Sequence, residues 1–367
     1  MKAVNPLLLL IKGLLLFIIM NFVFATWNPA VGKWSLYNWL VPGRLRFPYG
    51  QGANDHNLTV DDLDAMFASH EVSAVHKEDE IRVFFVGDSS IWGDYLTPEE
   101  TLSEQVNGLD LTCDEKKIHV YNLGYPHTFL LKDLLILYHA MQYEPDIVFW
   151  FVTTDSFLRK APLSVLTANA EESIQLISNY GVDYGIKKIA KYRENFWDKT
   201  LLGQRENLAR IIKLQLLGFV WEMTALDQSN SPIKFAATNR VVSDDFTYRG
   251  MIPPYDLSKR LVVRLLDSGA EVTDQIPLVI VNEPIMVATQ GRKDVRYNEF
   301  YPRWAYDQYR EILKARAREN RWYYLDFWDS IPEENFTDTP LHLNPEGEAL
   351  LANIMKPEIL EYACGTE

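Results

Sequence analysis

The chain has 367 residues, enough for one large domain or two small ones, and 47% of them are hydrophobic, which argues against disorder. Lys and Arg total 36 against 50 Asp and Glu, giving a net charge of -14. Such a surface repels a phosphate backbone, so no nucleic-acid partner is expected.

The two cysteines, Cys113 and Cys364, lack the spacing of a metal site. They can pair in an oxidising compartment only if the fold brings them together, and two unpaired thiols are the preferred interpretation. A zinc site would need more Cys or clustered His, and the seven His are scattered along the chain, so no metal site is expected.

The N-terminal segment is long and apolar. Residues 6–25 read PLLLLIKGLLLFIIMNFVFA, about the length needed to cross a bilayer, with Lys12 as the one charge. Trp27, Trp34 and Trp39 follow, as is typical of a membrane interface. We predict that residues 1–26 form a transmembrane anchor, with a signal peptide cleaved after Ala25 and a buried core helix as alternatives. Basic residues on both sides leave the orientation open, but the anchor and the signal both place the rest of the chain outside the cytoplasm.

Residues 27–80 are predicted to be an extracytoplasmic connector, because they are rich in Pro, Gly and polar residues, with a short helix near 60–69. From residue 81 onward, apolar runs of strand length alternate with helical patterns, which predicts parallel strands joined by helical crossovers. The predicted fold is a three-layer α/β/α doubly wound parallel sheet over 81–367. The strands are predicted at 82–86, 118–122, 147–152, 278–282 and 322–327, and the principal helices at 130–141, 303–318 and 347–355.

A long insertion, 157–267, interrupts this alternation and is largely helical in pattern, notably at 168–178 and 205–223. We predict that it forms a cap over the carboxyl edge of the sheet. Its apolar stripe is expected to pack on the core rather than face lipid or substrate: Ile211, Ile212, Leu214, Leu216, Leu217, Phe219 and Val220. The glycosylation pattern occurs at 57–59 and 335–337, but it is short and common.

The sequence Gly87-Asp88-Ser89-Ser90-Ile91-Trp92-Gly93 follows the first predicted strand directly. A serine at that point lies where open α/β sheets bind ligands, and the N–H groups of a following helix can stabilise an oxyanion. Helix capping is the simpler alternative. Ser89 is the candidate nucleophile.

His342 follows the last predicted strand and precedes a helix. An imidazole within hydrogen-bond reach is the base that a serine nucleophile needs, and Asp338 is the candidate to orient it. An isolated surface His is the alternative. Asp326 and Asp329 are reserve candidates for the acid, whereas Asp88 and Asp155 are interpreted as structural.

These residues resemble the SGNH, or GDSL-type, hydrolase family. Its first block fits 87–93, its glycine block resembles Asn122-Leu123-Gly124-Tyr125, its G-x-N-D block aligns with Val152-Thr153-Thr154-Asp155, and its D-x-x-H block lies near His342. The resemblance spans 81 to about 355 and implies a flavodoxin-like SGNH fold. It also implies an oxyanion site formed by the N–H groups of Ser89 and Gly124.

Two departures from the family pattern stand out. The oxyanion asparagine of the family aligns with Thr154, whose hydroxyl donates one hydrogen bond with a different reach, and Asn282 is a candidate replacement. The acid of the family lies three positions before the histidine, where this chain has Thr339, so Asp338 is one residue further away. A bulge at Pro340 would have to bring its carboxylate to the imidazole.

The resemblance implies a serine ester hydrolase that works through an acyl-enzyme, without metal or cofactor, on an ester or an acylated glycan. Membrane-anchored envelope proteins of similar plan suggest an O-acyltransferase component of cell-envelope polysaccharide modification, with a membrane O-acyltransferase as partner. A non-catalytic descendant that binds glycan or a partner is the third possibility.

Overall fold

A computed structural model describes residues 5–29, 31–34, 36, 39, 43–49, 63–74, 79–158, 165, 169–178, 186–224 and 238–365. The glycosylation pattern at 57–59 and much of the predicted connector lie outside these residues.

A six-stranded sheet organises the chain from residue 80 onward, in the order β2-β3-β1-β4-β6-β8. All neighbouring pairs except the edge pair β2–β3 are parallel. The five parallel strands therefore follow the 2-1-3-4-5 order of a flavodoxin-like sheet. The strands are β1 (Glu80–Gly87), β2 (Thr112–Cys113), β3 (Lys116–Gly124), β4 (Ile147–Val152), β6 (Leu278–Asn282) and β8 (Tyr323–Asp326). A separate parallel pair joins β5 (Val241–Val242) to β7 (Gln290–Gly291).

Helices cover both faces of this sheet, which confirms the predicted three-layer doubly wound architecture. Alternate strand residues enter two cores: Phe84 and Val86 face one helix layer, while Val83 and Phe85 face the other. The first layer holds α5 (Leu130–Ala140), α10 (Leu265–Thr273) and α11 (Arg303–Asn320), and the second holds α4 (Leu102–Asn107) and α12 (Pro345–Cys364). β-Branched and aromatic residues dominate the central strands because both of their faces are buried.

The N-terminal helix α1 (Pro6–Trp27) is long and apolar enough to cross a membrane, with a mean hydropathy of 2.6 over its best 18-residue window. Its side chains are mostly exposed. Asn5 caps the helix by accepting from the Leu7 and Leu8 N–H groups. A signal sequence passes the same test of length and composition.

Parts of the predicted connector belong to the domain core. Phe47 is fully buried, and so are Met66 and Phe67 of α2 (Leu63–Ala68). The His70 ring lies 2.9 Å from the Asn122 carbonyl at the Nε2 atom. The sequence pattern of 27–80 did not reveal this packing, because the buried residues are separated by polar and Pro/Gly positions.

The predicted insertion is helical in its described parts: α6 (Thr154–Leu158), α7 (Ala170–Ser178), α8 (Ile186–Ile189) and α9 (Arg205–Thr224). Helix α7 packs beside α5 and α10 in the helix layer, where Ser268 donates to the Leu176 carbonyl. Helix α9 contacts α2 and the turn Val31–Lys33. Arg44 also donates to the Gly218 carbonyl of α9 at 3.3 Å. The cap over the sheet edge stays a prediction.

The expected packing of the α9 stripe on the core is wrong for most of its members. Ile211 and Leu214 are buried, but five residues are exposed: Ile212, Leu216, Leu217, Phe219 and Val220. The reason is that α9 carries apolar residues on more than one face, and a helix can pack only one face against the domain.

The preferred interpretation of the cysteines as unpaired thiols is also wrong. Cys113 in β2 and Cys364 at the end of α12 form a disulfide with a Cα–Cα distance of 5.6 Å. The fold brings them together because the short edge strand lies beside the last helix, a proximity that a separation of 251 residues conceals.

Candidate active site

Ser89 occupies the turn between β1 and the four-residue helix α3 (Ser89–Trp92). The Asp88 side chain caps this helix by accepting from the Ser90 N–H at 3.0 Å, and Gly93 ends it with a φ of 85°. The short helix leaves the Ser89 side chain half-buried at the carboxyl edge of the sheet. As the first helical residue, Ser89 has no intrahelical acceptor for its own N–H group.

Three predicted catalytic side chains are joined by hydrogen bonds. Ser89 Oγ lies 2.9 Å from His342 Nε2, and His342 Nδ1 lies 2.8 Å from Asp338 Oδ1. The carboxylate can only accept, so it fixes the tautomer with the proton on Nδ1 and leaves Nε2 free to accept from the serine hydroxyl. This chain of contacts matches the geometry required of a nucleophile, a base and an orienting acid.

A tight turn brings Asp338 to the imidazole despite its extra residue of separation. Thr337 N–H donates to the His342 carbonyl at 2.9 Å, which closes the turn. Inside it, the Thr339 hydroxyl accepts from the N–H groups of Leu341 and His342 at 3.3 and 3.2 Å. Thr339, at the position of the family acid, therefore shapes the backbone that presents the carboxylate one residue earlier.

The electrostatic surroundings favour a protonatable imidazole. Burial alone lowers the pKa of His342, but the hydrogen bond and charge of Asp338, aided by Asp94 and Asp88, offset this and leave the pKa raised. Asp94 Oδ2 lies 3.9 Å from His342 Nδ1, and burial raises the pKa of Asp94 itself. Sequence reasoning missed Asp94, although its position directly after the Gly87–Gly93 block was a usable signal.

The predicted oxyanion residues are arranged less simply. Gly124 N–H donates to Asn122 Oδ1 at 3.0 Å, while the Asn122 amide donates to the Ile91 carbonyl at 2.8 Å. These two hydrogen bonds connect the end of β3 to α3, and the Gly124 N–H is already engaged in one of them. The buried Thr154 hydroxyl has no hydrogen-bond partner among the described residues. Their roles in oxyanion binding stay predictions.

Asn282 is fully buried at the end of β6, in a polar cluster with partly exposed Asp326 and Arg310. Its amide donates to Asp326 at 2.8 Å, and its carbonyl oxygen accepts from the Tyr309 hydroxyl at 3.1 Å. The Asp326 carboxylate also forms an ion pair with the Arg310 guanidinium at 2.7 Å. These bonds give Asn282 and Asp326 structural partners, so substrate binding by Asn282 stays a prediction. The other reserve acid, Asp329, is exposed.

Two supports behind the nucleophile were not predicted. Arg46, fully buried, donates to the carbonyls of Trp92, Gly93 and Leu96 and stacks on the Trp92 ring at 3.9 Å. It therefore holds the loop that follows α3, and its distance in sequence from Ser89 concealed that role.

The second support is a buried polar group beneath Ser90. The Ser90 hydroxyl lies 2.6 Å from Glu283 Oε2 and 3.1 Å from Asp88 Oδ1. Burial, followed by the charge of Asp88, raises the pKa of Glu283 well above its ordinary value. Buried Lys132 donates to the Gly87 carbonyl at 2.8 Å and pairs with Asp133 at 2.6 Å.

Asp155, interpreted from sequence as structural, accepts from Arg249 at 2.6 Å and from the Tyr248 hydroxyl at 3.0 Å. It thereby connects the end of β4 to the predicted insertion. Within the described residues, no cluster of three or more His, Cys, Asp or Glu has the arrangement of a metal site.

Comparisons with known proteins find only distant similarities. No family model matches the chain, and no curated protein matches it. Among solved structures, it is similar to a carbohydrate acetylesterase family member from Sinorhizobium meliloti, with 12% identity, 77% of this chain and 99% of that chain covered, and a TM-score of 0.35.

The native aryl esterase of M. smegmatis gives 11% identity, 77% and 99% coverage and a TM-score of 0.36. A member of the lipolytic protein G-D-S-L family from Veillonella parvula gives 10% identity, 76% and 97% coverage and a TM-score of 0.35. TM-scores this low do not support an inference about function, which therefore rests on the side chains described above.

Proposed function

We propose that this chain is a membrane-anchored, extracytoplasmic serine ester hydrolase of the SGNH type. The observation that carries the proposal is the continuous hydrogen-bonded series from Asp338 through His342 to Ser89, at distances of 2.8 and 2.9 Å. Residues from two distant parts of the chain meet at the carboxyl edge of the sheet, where open α/β folds bind their ligands.

In the proposed reaction, His342 Nε2 takes the proton of the Ser89 hydroxyl as Oγ attacks the ester carbonyl carbon. The C–O double-bond electrons move to the carbonyl oxygen, which becomes the oxyanion of a tetrahedral intermediate. The Ser89 N–H is the candidate backbone donor for it, because the Gly124 N–H already donates to Asn122 Oδ1, and Thr154 is the candidate side-chain donor. The intermediate collapses when the imidazolium returns its proton to the departing alcohol, leaving an acyl group on Ser89.

Deacylation repeats these steps with water as the nucleophile. His342 accepts a proton from water, the hydroxide oxygen bonds to the acyl carbon, and the proton returns to Ser89 Oγ as the acid departs. Asp338 accepts the hydrogen bond from Nδ1–H throughout, without taking the proton, and stabilises the imidazolium. His342 must be neutral at the start of acylation and of deacylation. Because its pKa is raised, we expect activity to be lost, as the pH is lowered, at a higher pH than a free imidazole would give.

The proposed location rests on two features. Helix α1 has the length and apolarity of a membrane span, and the Cys113–Cys364 disulfide suits an oxidising compartment outside the cytoplasm. The anchor is favoured over a cleaved signal because α1 packs on the folded domain: Leu202 N–H donates to Asn21 Oδ1 at 3.1 Å. Mass measurement of the mature N-terminus separates the two.

The test of the enzymatic proposal is covalent trapping combined with hydrolysis. The full chain in detergent is treated with a fluorophosphonate probe and digested, and the modified peptide is identified by mass spectrometry. We expect modification at Ser89, loss of labelling in Ser89→Ala, and retention in the exposed control Ser258→Ala. In parallel, short-chain p-nitrophenyl esters should be hydrolysed by the unmodified chain and by Ser258→Ala, but not by Ser89→Ala.

Other outcomes have definite meanings. No labelling and no hydrolysis by a folded chain would refute the proposal and favour a non-catalytic binding role. Labelling at Ser89 with slow hydrolysis, but rapid transfer to an added sugar alcohol, would instead favour acyl transfer over hydrolysis.

A further inference from the structure

Helix α9 is apolar on two faces, and only one of them packs on the domain. Ile211, Leu214 and Gly218 are buried at helical spacing against the protein. The outer face of α9 consists of Ile212, Leu216, Phe219, Val220 and Met223, which recur with the same period on the opposite side. Their side chains are 56, 71, 50, 50 and 72% exposed, respectively. A continuous exposed apolar face of this kind marks an interaction surface rather than scattered surface residues.

This face continues into the contact between the domain and α1. Just before α9, the Leu202 N–H donates to Asn21 of α1, and Phe196 and Trp197 pack on Phe22 with ring centroids 5.3 and 6.0 Å apart. Trp197 and Leu202 are themselves largely exposed. The 196–202 turn, which also carries exposed Asp198 and partly exposed Lys199, therefore places exposed apolar side chains between α1 and the start of α9.

Helix geometry sets the depth of this contact. At about 1.5 Å per residue, the 22 residues of α1 extend about 33 Å, enough to cross a hydrocarbon core of about 30 Å. Asn21 lies six residues before the helix end at Trp27, so the contact with Leu202 lies about 9 Å closer to the bilayer centre along the axis. The Trp27 and Trp34 rings, 6.0 Å apart, mark the exit of α1 with the residue type typical of the membrane interface.

We propose that the outer face of α9, together with the 196–202 turn, lies on the lipid bilayer as a second, interfacial membrane contact. The Asn21 contact places Leu202 of the 196–202 turn about 9 Å inside the exit of α1, within the depth of about 5–10 Å at which an interfacial apolar helix face inserts. The contact is proposed as hydrophobic, because the five residues of the outer face are all uncharged and apolar. The contact would fix the orientation of the domain relative to the membrane, beyond what a single flexible anchor provides.

This inference rests on the proposed anchoring by α1, so the experiment reports on both separately. Single cysteines are introduced in the full chain at Leu216, Met223, Glu206 and Leu14 and labelled with a nitroxide; the native cysteines are disulfide-bonded. Each protein is placed as one copy per phosphatidylcholine nanodisc. Collision of the label with oxygen, which concentrates in lipid, is compared with collision by a water-soluble nickel chelate.

At Leu216 and Met223 we expect the ratio of oxygen to nickel collision to exceed the ratio at Glu206, on the same helix, by about threefold or more. Nickel accessibility at Leu216 equal to that at Glu206, with Leu14 in lipid, would overturn the second contact while leaving the anchor intact. Protection of Leu216 from both reagents would overturn it too, since protein would then cover the face. Exposure of Leu14 to nickel would instead refute the anchor. Unchanged far-ultraviolet circular dichroism verifies that each labelled chain is folded.

Discussion

Replacing the acid that orients His342 gives the sharpest test of the site, because two carboxylates lie near the same nitrogen. Asp338 Oδ1 is 2.8 Å from Nδ1 and hydrogen-bonded to it, whereas Asp94 Oδ2 is 3.9 Å away. At an effective dielectric constant of about 20, these distances correspond to attractions for an imidazolium of about 6 and about 4 kcal/mol. Only Asp338 adds a directional hydrogen bond, which fixes the tautomer.

Asp338→Asn removes the charge and can present an amide N–H to Nδ1, which stabilises the wrong tautomer. We expect kcat/KM for a p-nitrophenyl ester to fall by about 10²–10³, or roughly 3–4 kcal/mol, with Asp94 supplying the remaining attraction. Asp94→Asn, the matched control, should cost less than Asp338→Asn, because its carboxylate lies further from the ring, at 3.9 Å, and makes no hydrogen bond to it.

The pH profile distinguishes a positioning role from a general loss of folding. In the unmodified protein the acidic limb of kcat/KM should lie at a higher pH than the ordinary pKa of histidine would give. In Asp338→Asn it should move to lower pH, because the hydrogen bond that raises the pKa of His342 is gone. An equal or larger loss in Asp94→Asn, or an unchanged acidic limb in a folded Asp338→Asn, would refute the assignment of Asp338.

Three further predictions concern stability and local geometry. Burial raises the pKa of Glu348 to about 8, so unfolding releases its proton between pH 5 and 8. The free energy of unfolding should therefore fall over this range by up to roughly 3 kcal/mol. Denaturant titrations of Glu348→Gln should lack this fall. Cys113→Ser should lower the free energy of unfolding by about 2–4 kcal/mol and abolish the effect of a reductant on Tm; equal sensitivity of both proteins to reductant would contradict the disulfide. Gly124→Ala would place a Cβ 2.5 Å from Trp92 N, so displacement of α3 should lower both Tm and kcat, whereas Gly108→Ala, with its closest contact at 3.3 Å, should change neither substantially.

The alternation of apolar strands and helices was enough to predict the layered fold, because a strand buried on both faces must be almost continuously apolar. The positions of Ser89 and His342 after strands likewise predicted a shared edge, since parallel strands end on the same side of a sheet. The length and composition of residues 6–25 identified a candidate membrane span without any tertiary information.

Contacts between distant segments could not be inferred in this way. Arg46 supports the loop after Ser89 through three backbone carbonyls, and Glu283 lies beneath Ser90, but neither residue has a local pattern that indicates its partner. The reach of Asp338 depended on the backbone of one turn, which the Thr339 hydroxyl shapes through hydrogen bonds. Because Asp338 lies four residues before His342, rather than three as in the family motif, the sequence could not predict whether its carboxylate reaches the imidazole.

The sequence by itself determined the layers, the edge at which the candidate residues gather and the apolar character of α1 and α9, because these depend on periodicity and order along the chain. Only the tertiary structure decided which α9 residues face outward, that Cys113 meets Cys364, and which carboxylate reaches His342. Those outcomes depend on distances of a few ångströms between residues far apart in sequence, and hydrophobic pattern does not specify such distances.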